Sequence, residues 1–241
     1  MTHFIRILAL LMIVVPAKAD MQTIEDFAID RTEVSIAEFQ RFAEATGFVS
    51  QAERSGGGEV YGWGWEQKPG WTWQRPFGVE SDPRLPAVHL TFDEATAYCA
   101  WRGARLPTEI EWRQAAYVEH RPDAGPDFIQ GQDYPYPTGD SPLGANCLSE
   151  CGFTPPVSFR DALDRGVGPA PVGTTQQGVN GLYDMGANVW EWVKSESVDS
   201  KVTAGGSWWY EAFRMHRDDR AVKPRDTAVV YIGFRCATDV R

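Results

Sequence analysis

The sequence predicts a single α+β domain in which short helices and short strands are joined by much irregular backbone. Three observations carry that prediction. Three Ser/Thr-x-x-Glu boxes each precede an apolar segment, and candidate strands are few and short. The intervening stretches are dense in turn formers and aromatics, with 23 Gly, 16 Pro and 10 Trp in 241 residues. Disordered segments are poor in aromatics, so ordered irregular backbone held by disulfides and metal ions accounts better for these stretches.

Taken in order, Met1 to Ala19 reads as a secretory signal. His3 and Arg6 precede an apolar run from Ile7 to Val15, and Ala17-Lys18-Ala19 forms an A-x-A cleavage site. The run is shorter than the ~20 residues of a membrane span. No cysteine follows the cleavage point, so no lipid anchor is expected. The remainder, residues 20–241, is expected to be exported, periplasmic or secreted, without membrane insertion. Removing 19 of 241 residues leaves 222, and loss of Arg6 and Lys18 takes the formal charge from −10 to −12. Such acidity excludes nucleic acid and anionic membranes as partners and leaves a peptide or protein.

Gln22 to Ile29 is a candidate strand. Ser35-Ile36-Ala37-Glu38 opens the first helix, with Ile36, Phe39 and Phe42 on one face and Gly47 as its stop. In each box the hydroxyl accepts from the N3 amide while the Glu reaches back to the cap N–H. Gly56 to Pro83, with Trp63, Trp65, Trp71 and Trp73, reads as an irregular aromatic loop. Ala87 to Leu90 is a second candidate strand, and His89 within it reads as a core or turn histidine. Thr91-Phe92-Asp93-Glu94 opens the second helix, ending near Gly103. Thr108-Glu109-Ile110-Glu111 opens the third, after Pro107. Pro122 to Pro171 reads as loop, broken by Pro135, Pro137, Pro142, Pro155 and Pro156. Val202 to Ser207 and Val229 to Arg235 are the last candidate strands.

Four cysteines in an exported chain point to disulfides before reactive thiols. Cys147 and Cys151 are four apart, spaced either for a local bridge or for a thiol pair doing copper or redox work. Trp208, Trp209 and Tyr210 form an aromatic run suited to core filling or, if exposed, to stacking on a peptide or sugar ring. Arg214, Arg217, Asp218, Asp219 and Arg220 read as a solvated mixed-charge surface. No two histidines are spaced for a metal triad, and Met215 beside His216 is a generic pair. No nucleophile elbow, phosphate loop or zinc motif is present.

Four motifs recur in order: Arg105-Leu106-Pro107-Thr108-Glu109-Ile110-Glu111-Trp112, the run Gly181 to Trp192 with Asn188-Val189-Trp190-Glu191-Trp192, Gly205-Gly206-Ser207-Trp208, and Gly233-Phe234-Arg235-Cys236. Together with Ile29-Asp30-Arg31-Thr32-Glu33-Val34 they resemble the formylglycine-generating enzyme family, the sulfatase-modifying factors, over nearly all of the chain after residue 19. The resemblance implies that family's fold, a C-type-lectin-like relative. It also implies a Cys99–Cys236 disulfide. One structural calcium site would use the Asp184 and Glu191 side chains with the Ala187 and Val189 carbonyls. A second would use Asn146, the Cys147 carbonyl, Asp164 and the Gly166 carbonyl. Relatives usually begin with a glycine-rich strand pair containing a Gly-Gly-x-Phe-x-Met-Gly stretch; here the chain after residue 19 starts almost directly at Ile29-Asp30-Arg31-Thr32-Glu33-Val34, so those strands are not expected from the resemblance.

The family's oxidases place copper-binding cysteines three and eight residues beyond the serine of Gly-Gly-Ser. Here those positions hold Tyr210 and Met215. Neither a phenol nor a thioether replaces thiolates that hold soft Cu(I), so copper is not expected. Trp190 and Ser207 match residues lining the family's oxygen-binding region, which makes Trp190, Ser207, Tyr210 and Met215 the pocket candidates. The expected function is divergent oxidative or maturation chemistry, similar to the pyoverdine-maturation relatives. Non-catalytic binding or assembly of an exported partner is the alternative, and true formylglycine generation is disfavoured.

Overall fold

All three boxes start helices in the computed structural model, which describes residues 20–153 and 168–240. The expected signal segment, together with Asp164 and Gly166, lies outside the described residues. A hairpin comes first, β1 (Met21–Ile24) with β2 (Phe27–Asp30). Then Ser35 caps α1 (Ile36–Thr46), its hydroxyl accepting from the Glu38 amide at 3.3 Å while Glu38 accepts from the Ser35 N–H at 2.9 Å. Ile36, Phe39 and Phe42 are buried, and Gly47 ends the helix in the left-handed conformation. A fourth box, Ser50 with Glu53, starts the one-turn α2 (Gln51–Arg54). The Glu53 carboxylate also accepts from the Trp73 indole at 3.0 Å.

The hairpin β3 (Glu59–Tyr61) and β4 (Trp65–Gln67) follows, then α3 (Phe92–Trp101) and α4 (Glu109–Tyr117). Five short strands complete the order: β5 (Trp190–Val193), β6 (Ser200–Ala204), β7 (Ala221–Pro224), β8 (Ile232–Gly233) and β9 (Ala237–Asp239). Among the described residues these form three sheets, ordered β1-β2-β9, β3-β4 and β7-β6-β5-β8, antiparallel except for the β5–β8 pair.

Several strand expectations change. Gln22 to Ile29 is not one strand, because the chain reverses through Glu25 at φ +51°. A strand pair therefore stands at the start of the domain without the glycine-rich stretch of the relatives. Gly56 to Pro83 is not wholly irregular, since it contains the β3–β4 hairpin, with Trp63 exposed at the tip. Ala87 to Leu90 is no strand: His89 sits at φ +56° with its ring buried and its Nε2 3.0 Å from the Pro76 carbonyl. Burial lowers the His89 pKa to about 4, as suits a neutral core histidine. Val229 to Arg235 contributes only β8 to a sheet.

The strand expected from Val202 to Ser207 stops at Ala204, and the Gly-Gly turn explains why. Gly205 and Gly206 adopt φ +92° and +77°, which glycine tolerates at no steric cost. A Cβ on Gly205 would fall 2.5 Å from the Met185 carbonyl oxygen. The turn thus ends β6 and brings Ser207 beside the segment preceding β5.

One large core gathers Phe39, Trp73, Tyr98, Trp190, Trp192, Trp208 and Phe234. A second lies between the first hairpin and α4, around Ile24, Phe27 and Trp112. A third, small cluster holds Ala145, Cys147, Cys151, Ala187, Ala212 and Met215. Trp208 and Trp209 are core, so of that aromatic run only Tyr210 is partly exposed. Two disulfides, Cys99–Cys236 and Cys147–Cys151, are formed. Among the described residues no helix is long and apolar enough to cross a membrane.

Candidate functional site

β5 carries Glu191 into the interior, paired with Ala204 on β6 and Gly233 on β8. There Glu191 accepts from Arg235 twice, from Nε at 2.8 Å and from Nη2 at 2.7 Å, and from the Trp112 indole at 2.8 Å. Arg235 also donates to the Asp30 and Tyr183 carbonyls at 3.0 and 2.9 Å. Two more buried carboxylates stand near this pair. Glu33 accepts from Asn188 Nδ2 at 2.6 Å and from the Val189 N–H at 3.0 Å. Asp184 accepts from the Gly173 N–H and the Thr175 hydroxyl, both at 2.6 Å.

Three buried acids therefore face one buried guanidinium. Burial raises the Glu33 pKa well above the ordinary range, reinforced by the charges of Asp184 and Glu191. Burial also raises that of Asp184, against its two hydrogen bonds. Sequence reasoning missed Glu33 and Arg235 as functional charges. A lone arginine inside the apolar Gly-Phe-Arg-Cys motif was the available signal.

The loop from Asp184 to Asn188 is strained. Asp184, Ala187 and Asn188 have φ of +59°, +62° and +49°. Such non-glycine conformations cost on the order of 1 kcal/mol each and gather at functional sites. The first calcium set fits a hard cation in kind, because it offers two carboxylates on or beside this loop and an excess of negative charge. Acceptor capacity remains on both Asp184 oxygens and on Glu191 Oε1 after the bonds above. The three acids do not themselves form a metal cluster: among the described residues, no three His, Cys, Asp or Glu side chains are grouped to hold an ion. In the second set, Asn146 donates to Asn188 Oδ1 and the Gly168 carbonyl, both at 3.0 Å. Its own Oδ1 is buried without a donor among the described residues, an orphaned acceptor that suits a cation.

The pocket candidates are only partly brought together. Trp190 and Tyr210 meet edge to face at 6.0 Å, and Tyr210 also packs on Tyr231 at 5.7 Å. Ser207 is buried, its hydroxyl accepting from the Trp209 N–H at 3.3 Å. Met215 instead belongs to the small cluster with the Cys147–Cys151 bridge. Its carbonyl accepts from the Tyr117 hydroxyl at 3.1 Å. Its sulfur packs so closely that a Cβ on Gly186 would sit 3.0 Å away. The loop bearing the bridge is tied to the pocket, since the Leu148 N–H donates to the Tyr210 carbonyl at 2.9 Å.

These residues do not fit a copper–dithiolate centre. All four cysteines are in disulfides, and Tyr210 and Met215 offer one phenol and one packed thioether. His216 provides no second soft donor, as its ring lies against Tyr136 and its Nδ1 faces Asp218. One residue of the supposed charged surface packs against two of the pocket candidates: the Arg214 guanidinium lies 5.3 Å from the Trp190 ring centre and 5.6 Å from that of Tyr210.

The family model for the sulfatase-modifying factor enzyme 1-like domain matches residues 15–240. The chain is 32% identical to the formylglycine-generating enzyme of Thermomonospora curvata, over 88% of this chain and 82% of that protein. It is also 32% identical to the inactive C-alpha-formylglycine-generating enzyme 2 of Mus musculus, over 90% of this chain and 76% of that one. The solved structure of PvdO from Pseudomonas aeruginosa shares the fold, with a TM-score of 0.61 at 22% identity over 89% of this chain and 80% of that one. With its motifs, fold and family match in agreement, this chain belongs to the sulfatase-modifying factor, or formylglycine-generating enzyme-like, family.

Proposed function

We propose that the protein, as an exported domain of residues 20–241, is a maturation enzyme or oxidoreductase acting on a peptide or protein without a copper–dithiolate centre. The observation that carries this reading is the replacement of the paired thiols by Tyr210 and Met215, each held by its own packing partners. Two disulfides support export, because such bonds persist in oxidising compartments. Incubation with cuprous ion and a cysteine peptide bearing a sulfatase motif is expected to leave the peptide mass unchanged. Conversion to formylglycine, or stoichiometric cuprous ion held at Tyr210 and Met215, would overturn the reading.

A non-catalytic assembly role is the second reading, favoured by the similarity to a relative named as inactive. Mass spectrometry of an exported partner captured on the protein separates the two. A covalent mass change during incubation supports the enzyme, and an unchanged partner supports the assembly factor.

Calcium has a structural place in this proposal, at Asp184 and Glu191 with the Ala187 and Val189 carbonyls, and at the Asn146 set. Without a cation, the raised Glu33 and Asp184 values mean that the folded state holds those protons more tightly than the unfolded one. That contribution is present at low pH and is lost as pH rises through the folded-state values. A divalent ion favours the ionised acids and offsets the loss. Calcium at 100-fold over its dissociation constant is expected to stabilise by about 2.7 kcal/mol, a Tm rise of several degrees. Measured between about pH 5 and about pH 8, the rise should grow with pH and be smaller in Asp184→Asn, which weakens the first set and leaves the Asn146 set in place. A melting curve indifferent to calcium and EDTA across that range removes the ion from the account.

A further inference from the structure

We infer that the groove between the first turn of α4 and the outer strands β6 and β7 binds an uncharged apolar chain, alkyl or acyl. The site stands apart from the Trp190 and Tyr210 candidates and rests on neither functional reading above. Its volume is about 660 Å3, inside the roughly 300–1,000 Å3 range of small-ligand clefts. Val202 and Val222, cross-strand partners on β6 and β7, line it from the sheet, and Ile110 lines it from α4. Val222 is 47% exposed and Ile110 74%. α4 packs through Trp112, Ala115 and Ala116, so Ile110 serves no core contact. The segment after β5 forms the other side and is held in place. Lys194 donates its N–H to the Pro107 carbonyl at 2.8 Å, and its carbonyl accepts from the Glu109 N–H at 3.2 Å. Lys201 donates to the Ser195 and Ser197 carbonyls, the first at 3.1 Å. The groove is therefore preformed, and a ligand need not order its sides.

The polar groups around the groove are largely spent on one another. Arg220 donates to Glu109 at 2.8 and 3.3 Å, and the Thr108 hydroxyl donates to Glu111 at 3.0 Å. The Ser197 and Ser200 hydroxyls meet at 3.1 Å, and the Ser195 hydroxyl oxygen is shielded from solvent. Lys194 and Arg220 on the rim are balanced by Glu109 and Glu196, so a ligand of either charge meets no net opposite charge. The aliphatic stems of Lys194 and Arg220 add apolar lining beneath their charged ends. Apolar contact is what the groove has to offer.

Two features select a single chain over a polypeptide. The 11 lining residues fall short of the roughly 20–30 per side that a stable protein interface uses. Strand addition to the open edge of β7 is also guarded against. The Arg225 N–H bonds the Asp199 carbonyl at 3.1 Å, which fixes the phase of the β6–β7 ladder. Val222 and Pro224 are then the residues whose backbone faces outward. Pro224 removes one of those donors and Lys223 adds a charge, both means of protecting an edge strand.

Titration of the whole protein with 1-octanol, followed in 1H–13C spectra of the Ile and Val methyl groups, tests the assignment. Ile110→Ala and Val222→Ala identify the two signals, each by the peak that disappears. Octanol is expected to shift both saturably. 1-Butanol should bind roughly two- to four-fold more weakly for each methylene it lacks. Octanoate and octylammonium should bind with equal affinity, because the rim carries no net charge. Ile110→Asp and Val222→Asp should each weaken octanol binding about ten-fold or more. Ile129→Asp, at an exposed isoleucine elsewhere, should leave it unchanged. Aspartate suits the first turn of a helix, so Ile110→Asp is expected to fold, and the other methyl signals report whether each variant does. Undiminished octanol affinity in both groove variants, or shifts that never saturate, would overturn the site. A preference of about ten-fold or more for either charged chain would overturn the uncharged class. A dimer that Ile110→Asp dissociates would assign the patch to a second copy, and co-sedimentation with phosphatidylcholine vesicles would assign it to a bilayer. Either result rejects a single-chain ligand.

Discussion

Replacing Arg235 with alanine is expected to remove about 5 kcal/mol of stability, enough to leave much of the protein unfolded at ordinary temperatures. The side chain is fully buried and holds both oxygens of the buried Glu191. Breaking one side of such a pair costs about 3–5 kcal/mol, because the remaining charge is stranded in a medium that solvates it poorly. Here the loss is compounded. Glu33 and Asp184 also feel the Arg235 charge, so three buried acids would lose the one buried counter-charge that faces them among the described residues. The Asp30 and Tyr183 carbonyls lose donors as well.

Arg235→Lys should fall between wild type and Arg235→Ala. It keeps the charge but cannot present the Nε/Nη2 fork that Glu191 accepts. Adding Glu191→Gln to Arg235→Ala should restore part of the loss, since the stranded charge is then gone, although the Trp112 indole keeps an acceptor. Urea midpoints for the wild type, Arg235→Ala, Glu191→Gln and the Arg235→Ala/Glu191→Gln double variant give a double-mutant cycle. Loss of less than about 1 kcal/mol in Arg235→Ala would mean that the acids are already neutral in the fold, and the network described above would be wrong.

The elements legible in the sequence were those whose signals are local. α1, α3 and α4 each begin with a hydroxyl and a glutamate three residues on, and the caps form from those same atoms. α2 carries the same box at Ser50 and Glu53, but a single turn has no apolar periodicity to mark it. β5 was unreadable for a physical reason: all four of its residues are buried, so the alternation that reveals a half-exposed strand is missing. β7 and β9 owe their existence to distant partners on β6 and β2. The site followed the same division. Tyr210 and Met215 could be placed by counting from Ser207, but Glu33 meets Asn188 and Val189 across 155 and 156 residues. Arg214 was hidden by its charged neighbours, because only tertiary packing sets three rings around it. The left-handed Ala187 had no local marker at all, since alanine is not a residue that seeks φ of +62°.

Removal of the Cys99–Cys236 bridge, as Cys99→Ala with Cys236→Ala, is expected to cost about 5 kcal/mol, against about 2 kcal/mol for the matching Cys147 and Cys151 double variant. The two bridges span 137 and 4 residues of chain. In the chain-entropy account, closing the longer loop removes far more freedom from the unfolded ensemble, while the shorter one closes a segment that already turns on itself. Native contacts add to the difference. Cys99 sits on α3 next to Tyr98, whose ring packs on Phe39 and Phe234 at 5.5 and 5.4 Å. Cys236 donates its N–H to Asp30, which is also paired with Arg102 at 2.6 Å. The long bridge therefore fastens α3 to the C-terminal segment at the point where the large aromatic core and the Arg235 network meet. Unfolding in urea should show the larger loss for the long bridge and a steeper denaturant dependence, since a chain freed of that constraint expands further when it unfolds. Equal losses for the two double variants would reject the loop-entropy explanation. A larger loss at Cys147 and Cys151 would show that the small sulfur cluster beside Met215 stabilises the fold through packing that the chain length between its cysteines does not reveal.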